Sequence, residues 1–390
     1  MVELKNQKNT TGNKNFLKIS IITLICILVS IVIARYITEE DFRNYVDTNI
    51  LKKQVEQNTL RNIEIDYEST PSIFAYDKYV AILSKNSLSI YTANGEKTET
   101  LEVNISKPVF NSRGKYLVIG EQDGKKLYLI ADTSIIWETE IDGEISRVNV
   151  NKNGYVSVIV TNTTYKSVIL SYNQDGKELF RTYLSSTYAL CADISDNNKY
   201  LAIGEVDYSG TIVKSNVKII SIALAQSSPE QSVINKYESD TGQIISNIRY
   251  QDKDTAICMF NSYVQKVSLD KNERLIDIDD NALFLDINLK DKIAIVEKQS
   301  SGLFSYEYEM KIKNTTGTTE YLYILDSDVP RNVIICGETI GINLGTEVQI
   351  VNSRGMLLKK YKSKQEIKSL VVGNNIAGII YKDKIELINL

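Results

Sequence analysis

The sequence contains no histidine at all. That absence removes Ser-His-Asp and Cys-His nucleophilic catalysis and the ordinary zinc sites. Proline is scarce, 4 in 390 residues, and glycine is modest at 19, which argues against collagen-like or proline-rich linker segments. No P-loop or dinucleotide-type glycine-rich loop follows a strand and opens a helix. Cysteine is sparse too. Cys26 lies in an apolar N-terminal run, leaving Cys191, Cys258 and Cys336, an odd number that allows no complete disulfide framework. Each of those three sits among strand-like residues and reads as a small buried hydrophobe, with one bridge between two of them left open.

Net positive charge is confined to the N-terminus. Residues 1–36 hold five cations, Lys5, Lys8, Lys14, Lys18 and Arg35, against Glu3 alone, a net of +4; the chain totals −4, so the remainder carries −8. An acidic domain without a basic stripe is a poor partner for nucleic acid or anionic wall polymers. What is present is ordinary for a globular protein: 43% hydrophobic and 24% charged residues. Tyrosine, at 24, and abundant Ile, Thr and Val favour strands.

From Ile19 to Ala34 no charged residue occurs. Sixteen residues at ~1.5 Å each cover roughly 24 Å. Phe16, Leu17, Tyr36 and Ile37 extend the run to the ~30 Å of a bilayer core, with Lys18 and Arg35 snorkelling outward. The competing reading is a cleaved signal peptide. A cut after Ala34 would have Val32 where a small residue belongs, so the sequence favours an uncleaved anchor. Four lysines precede the span and Glu39, Glu40 and Asp41 follow it, which places the N-terminus in the cytoplasm and residues 38–390 outside. The expected layout is a disordered cytoplasmic tail over 1–15, a transmembrane helix over 16–37, a juxtamembrane helix and linker over 38–60, and an extracytoplasmic domain over 61–390. The juxtamembrane helix, expected over 39–57, starts with an acidic first turn that suits the helix dipole.

From Asn62 onward, short alternating runs are broken by Asn, Asp and Gly turns. The segments 110–120, 150–159, 194–204 and, more weakly, 250–258 each read as a strand, a tight polar turn and a buried strand. Tyr91-Thr-Ala-Asn-Gly, Tyr172-Asn-Gln-Asp-Gly, Leu269-Asp-Lys-Asn-Glu and Val351-Asn-Ser-Arg-Gly mark a second hairpin per unit. Unit starts near Ile73, Ile105, Ile145, Tyr188, Gln243, Leu283, Val329 and Ile367 give a period of about 40, the spacing of four-stranded propeller blades. The last unit has room for three strands only. The run Asn62–Tyr67, otherwise orphaned, supplies the fourth and closes the ring, removing two exposed sheet edges. The fold class is therefore all-β, a propeller of eight four-stranded blades, with seven as the alternative count.

The turns Asn111-Ser-Arg-Gly-Lys-Tyr-Leu117 and Ser195-Asp-Asn-Asn-Lys-Tyr-Leu-Ala-Ile203 resemble those of WD-repeat-like and quinoprotein-like bacterial propellers. With the span, residues 142–155 and residues 200–210, the layout is similar to an uncharacterised clostridial (Firmicutes) family of single-span, membrane-anchored propellers. The resemblance covers nearly the full chain. It implies fold and location but no activity. The Trp-Asp dipeptide of true WD repeats is absent, since Trp137 precedes Glu138.

Candidate chemistry is thin. Glu121, Asp123, Glu205 and Asp207 occupy equivalent places at the ends of two second strands, where loops on a ligand-binding face could offer oxygens to a cation such as Ca²⁺; solvated turns have the same composition. Paired carboxylates would also serve a glycan-active enzyme. Phe304, Tyr306, Tyr308, Met310 and Ile312 alternate with polar residues as a half-buried strand does. Residues 223–242 are the least blade-like stretch, an insertion of the kind that often carries function. Tyr208, Pro229 and Glu230 are the candidate partner contacts. The sequence points to a non-catalytic protein-binding or scaffold module of the cell envelope, with an envelope protein as partner and no cofactor. A carbohydrate- or peptide-sensing ectodomain and a carboxylate-dependent enzyme are the alternatives.

Overall fold

Period-two alternation produces strands, and here it produces them in fours. The computed structural model describes residues 11–39, 42–43, 46–51, 61–66, 71–84, 86–300, 306–325 and 329–390. Among these residues lie eight four-stranded antiparallel sheets, each a blade of a closed propeller. The inner strands of blades 1 to 8 are Ser72–Tyr76, Pro108–Arg113, Glu144–Val150, Tyr188–Ile194, Ile245–Tyr250, Ala282–Asp286, Asn332–Cys336 and Ser369–Val372. Every one begins within three residues of the start read from the repeat, and the count is eight rather than seven.

Arg61–Glu64 forms the outer strand of blade 8, pairing antiparallel with Lys384–Asn389 in the register Arg61↔Leu387 to Glu64↔Lys384. The first and last strands of the domain are thereby locked into one sheet, which completes blade 8 to four strands.

The core is divided into eight clusters, each shared by two consecutive blades. Phe74, Leu88, Leu117 and Ile119 join blades 1 and 2. The circuit closes where Ile63, Val80, Ile82, Ile376 and Ile385 join blade 8 to blade 1. Burial per blade thus depends on its neighbours, so the ring stabilises as a whole. Two repeated glycines show how tight that contact is. A Cβ on Gly204 would lie 2.5 Å from Cys191 Sγ and 2.9 Å from Ile245 Cδ1, and one on Gly120 would lie 2.9 Å from Val148 Cγ1. Cys191 and Cys258 are buried in the cluster between blades 4 and 5, and all four cysteines are free.

The N-terminal helix runs Thr11–Thr38. Within it, Ile19–Thr38 is long and apolar enough to cross a membrane, and none of that stretch is buried against the domain. Thr23 and Ser30 turn their hydroxyls back onto the carbonyls of Ile19 and Cys26, at 2.9 and 2.8 Å. Those bonds satisfy two of the hydroxyl donors on the apolar surface. The helix starts earlier than expected: residues 11–15, read from sequence as tail, are helical despite Gly12, because a helix nucleated in the apolar run propagates outward. Residues 1–10 lie outside the described residues. Of the helix expected over 39–57, Phe42 and Arg43 are helical and Val46–Ile50 makes a π-helical turn. Residues 40–41, 44–45 and 52–60 lie outside the description. That turn lies against the outer strand of blade 7, Leu357–Lys362.

The stretch 223–242 is corrected by the structure. It is not one insertion. Ile222–Ser227 is a short helix with Ser221 as N-cap, Pro229–Gln231 is a 3-10 turn, and Val233–Glu238 is the outer strand of blade 4. The strand was obscured because its two-residue alternation, Val-Ile-Asn-Lys-Tyr-Glu, is mostly solvent-exposed.

Candidate functional site

Each inner strand crosses the ring from one face to the other. Interblade connections and second-to-third-strand loops therefore share one face, the upper, while the two hairpins of each blade share the lower. Large apolar side chains that remain exposed concentrate on the upper face of blades 3 to 6 and the connection into blade 7. They are Tyr165, Tyr183, Tyr188, Tyr208, Ile212, Ile244, Leu283, Tyr306, Ile324 and Val329. Tyr183, Tyr208 and Tyr306 are about half exposed, at 51%, 48% and 49%.

The tyrosines are positioned by one another. Tyr165 and Tyr183 have ring centroids 4.7 Å apart, and Tyr188 and Tyr208 5.8 Å apart, both pairs tilted. Lys166 Nζ sits 5.0 Å from the Tyr188 ring and Lys298 Nζ 3.5 Å from that of Tyr306. The loop of Tyr165 is braced by Thr163, whose hydroxyl donates to the Tyr165 carbonyl at 2.9 Å and accepts from its N–H at 3.1 Å. Beside Tyr208, the Asp207 carboxylate accepts from the Ser209 N–H at 2.8 Å. Bonds from the Ser209 hydroxyl and backbone hold the Asp207 carboxyl below its ordinary value. The rim is slightly acidic: Asp142, Asp207, Asp279 and Asp280 share these loops with Lys166, Lys214 and Lys298, while Asp240 is paired with Arg274 at 3.0 Å.

The carboxylates singled out from the sequence separate. Glu121 ends the second strand of blade 2 on the upper rim, accepting from the Ser106 hydroxyl at 3.3 Å. Asp123 follows at φ 58°, 4.0 Å from Lys107 Nζ. In blade 4 the second strand runs on to Asp207, so Glu205 falls inside the sheet. It is buried, accepting from the Thr187 hydroxyl at 2.7 Å and from Lys218 Nζ at 2.9 Å. Blade 3 stands between the two pairs, and the described residues contain no group of three acids or cysteines placed to hold a metal. Tyr208 joins the exposed arc, whereas Pro229 and Glu230 lie on the lower face. The third strand of blade 4, Lys214–Ser221, separates them, about 25 Å of extended chain. Of the alternating stripe, Phe304 lies outside the described residues; Tyr308, Met310 and Ile312 are core, while Tyr306 is exposed because it stands at the strand's upper end.

Sequence reasoning missed most of the arc. Tyr183 carries the one available signal: in Phe180-Arg-Thr-Tyr-Leu184 the buried phase is Phe180 and Leu184, which turns Tyr183 outward.

A second feature is the central channel. Its polar part is a cavity of 420 Å³ walled by blades 2 to 6, including Phe110, Arg113, Arg147, Asn149, Asp193, Arg249 and Asn288. Arg113 reaches over from blade 2 to donate to the Tyr250 carbonyl at 2.6 Å, with Asp193 and Asp196 at 3.5 and 3.4 Å. Asp193 is buried and also accepts from the Tyr250 N–H at 2.7 Å and the Asn149 amide at 2.9 Å. Burial pushes its carboxyl up, against the pull of Arg113. Arg249 donates to the Asn288 amide oxygen at 2.8 Å, and its Nε is buried with no partner among the described residues. Burial, and then the charge of Arg113, push the Arg249 guanidinium down to about 10. A second cavity of 250 Å³ shares Arg113, Arg249 and Asn288 with the first and extends to Ile334, Ile335, Val371 and Val372 of blades 7 and 8.

These features define a closed eight-bladed propeller carrying an apolar N-terminal helix and an exposed aromatic arc on one face. The chain belongs to the DUF5711 family, a family of unknown function whose model matches residues 51–390. No curated protein matches the sequence. Among solved structures, it is similar to BamB from Moraxella catarrhalis, at 13% identity and a TM-score of 0.50 over 87% of this chain and 99% of that one. It is also similar to Sqt1 from Chaetomium thermophilum, at 11% identity and a TM-score of 0.53 over 85% and 100%. At these identities the likeness is one of fold.

Proposed function

We propose that this protein is a non-catalytic protein-binding or scaffold module of the cell envelope. Its N-terminal helix is a single-pass anchor, with the N-terminus cytoplasmic and the propeller outside. The observation that carries the reading is the upper-face arc of blades 3 to 6. Single exposed apolar residues are normal, but tyrosines paired on contiguous loops are the composition of interface centres. The acidic rim fits a partner that presents an apolar strip flanked by basic side chains. The tilt of the ring pairs, 44° and 55°, leaves no flat stacking platform, which favours a protein surface over a sugar ring. The chain enters the outer strand of blade 8 at Arg61 from the lower-face side, so the anchor attaches opposite the arc.

Co-purification of the full-length protein from its native membrane tests the docking reading. A membrane protein recovered with the natural chain is expected to be lost with Tyr188→Ala/Tyr208→Ala and kept with Pro229→Ala/Glu230→Ala. Equal recovery by all three would sink it. For topology, a membrane-impermeant maleimide applied to intact cells is expected to label Ser209→Cys.

A further inference from the structure

The channel cavity is a second, separate place where this chain can bind something. We infer that its polar part is a binding site for a small organic di- or tricarboxylate, held between Arg147 of blade 3 and Arg249 of blade 5.

Three guanidiniums line the cavity, and their charges are met unequally. Arg113 has two carboxylates, Asp193 and Asp196, within 3.5 Å. Among the described residues Arg147 has only backbone partners: its Nη1 donates to the Leu190 carbonyl at 2.7 Å and the Ser246 carbonyl at 3.0 Å. Arg249 bonds to a neutral amide oxygen and keeps its buried Nε unpaired. Asp193 and Asp286 act on Arg249 through space but form no ion pair with it. Two cations, on strands two blades apart, are thus fixed in place without an acid bonded to either.

An unmet guanidinium facing a cavity asks for a planar oxyanion, which it binds through two parallel hydrogen bonds. Two of them suit a ligand with more than one carboxylate. The rest of the wall argues for an organic body over inorganic phosphate: Phe110, Val148 and Met259 offer apolar contact. Access exists from the upper face. Arg147 and Ser246, nearer the upper ends of their strands, are exposed, whereas Asp193 and Tyr250 deeper down are buried. Arg113 spans the deeper level and forms the floor.

The test is calorimetric titration of the full-length protein in detergent with citrate, with inorganic phosphate at matched ionic strength alongside. Citrate is expected to bind saturably and phosphate at least tenfold more weakly. Arg147→Gln and Arg249→Gln are each expected to weaken citrate by tenfold or more, since a hydrogen bond to a charged group contributes about 1.5–3 kcal/mol. Arg147 is exposed, so the two carbonyls it leaves can turn to water; its variant is expected to stay folded, with its unfolding midpoint measured alongside. Tyr188→Ala/Tyr208→Ala is expected to bind citrate normally, so failure of the docking proposal and failure of this one are distinguishable. Absence of saturable citrate binding overturns the inference. So does phosphate binding as tight as citrate, or unchanged citrate affinity in the Arg147→Gln protein.

Discussion

The two faces of the ring come from one repeat and end in different chemistry. On the lower face the hairpins bond to themselves. Asn151 Oδ1 accepts from the N–H groups of Asn153 and Tyr155, Asn173 Oδ1 from those of Asp175 and Lys177, and Asn352 Oδ1 from those of Arg354 and Met356. Their polar side chains are committed to closing turns, as Asx residues do. On the upper face of blades 3 to 6 the loops carry tyrosines whose rings meet each other and stay exposed. The same scaffold thus holds one face that is satisfied locally and one that is left with contact area to offer.

The sharpest way to break that comparison is on the tyrosines. Tyr188→Ala/Tyr208→Ala is expected to weaken partner binding by tenfold or more, because interface tyrosines at hot spots contribute over 1 kcal/mol each, about fivefold. Quantitative pull-down would show it, with the unfolding midpoint within error of the natural chain. Next comes the ring that both faces share. Gly204→Val forces atoms into Cys191 and Ile245 and is expected to destabilise by about 1–3 kcal/mol, read as a lower denaturant midpoint. A smaller effect is expected at a lower-face turn. Asn173→Ala removes two accepted hydrogen bonds and is expected to cost about 0.5–1.5 kcal/mol of stability with partner affinity unchanged. Smallest is Pro229→Ala/Glu230→Ala, an exposed lower-face change expected to stay within about 0.5 kcal/mol in stability and within twofold in binding. A large binding loss in either lower-face variant would reverse the assignment of faces.

Much of this fold was legible in the sequence, and the reasons are local. Turn residues at fixed offsets, Gly114, Gly154 and Asn198, adopt positive φ in the hairpins they announced. The short last unit and the orphan run from Asn62 pointed to ring closure, because a missing strand and a spare one must meet. The outer strand of blade 4 was hidden, since both its phases are largely wet and a helix precedes it. The candidate sites were less legible. Glu121 and Glu205 share a motif, but a strand longer by two residues buries Glu205 and leaves Glu121 half-buried at the strand end. The channel joins Arg113 to Asp193 and Tyr250, 80 and 137 residues away, and no local pattern encodes such a contact. The tyrosine arc depends on strand phase at blade ends, which reads as alternation until the ring shows which side has a neighbour.

The most direct test of the docking face is photo-crosslinking of the full-length protein in its native membrane, with a benzophenone side chain placed at position 208 or at position 230. The account predicts one discrete protein adduct from position 208, abolished when Tyr188 is also changed to Ala, and none from position 230. An adduct from position 230 with none from 208 would contradict it.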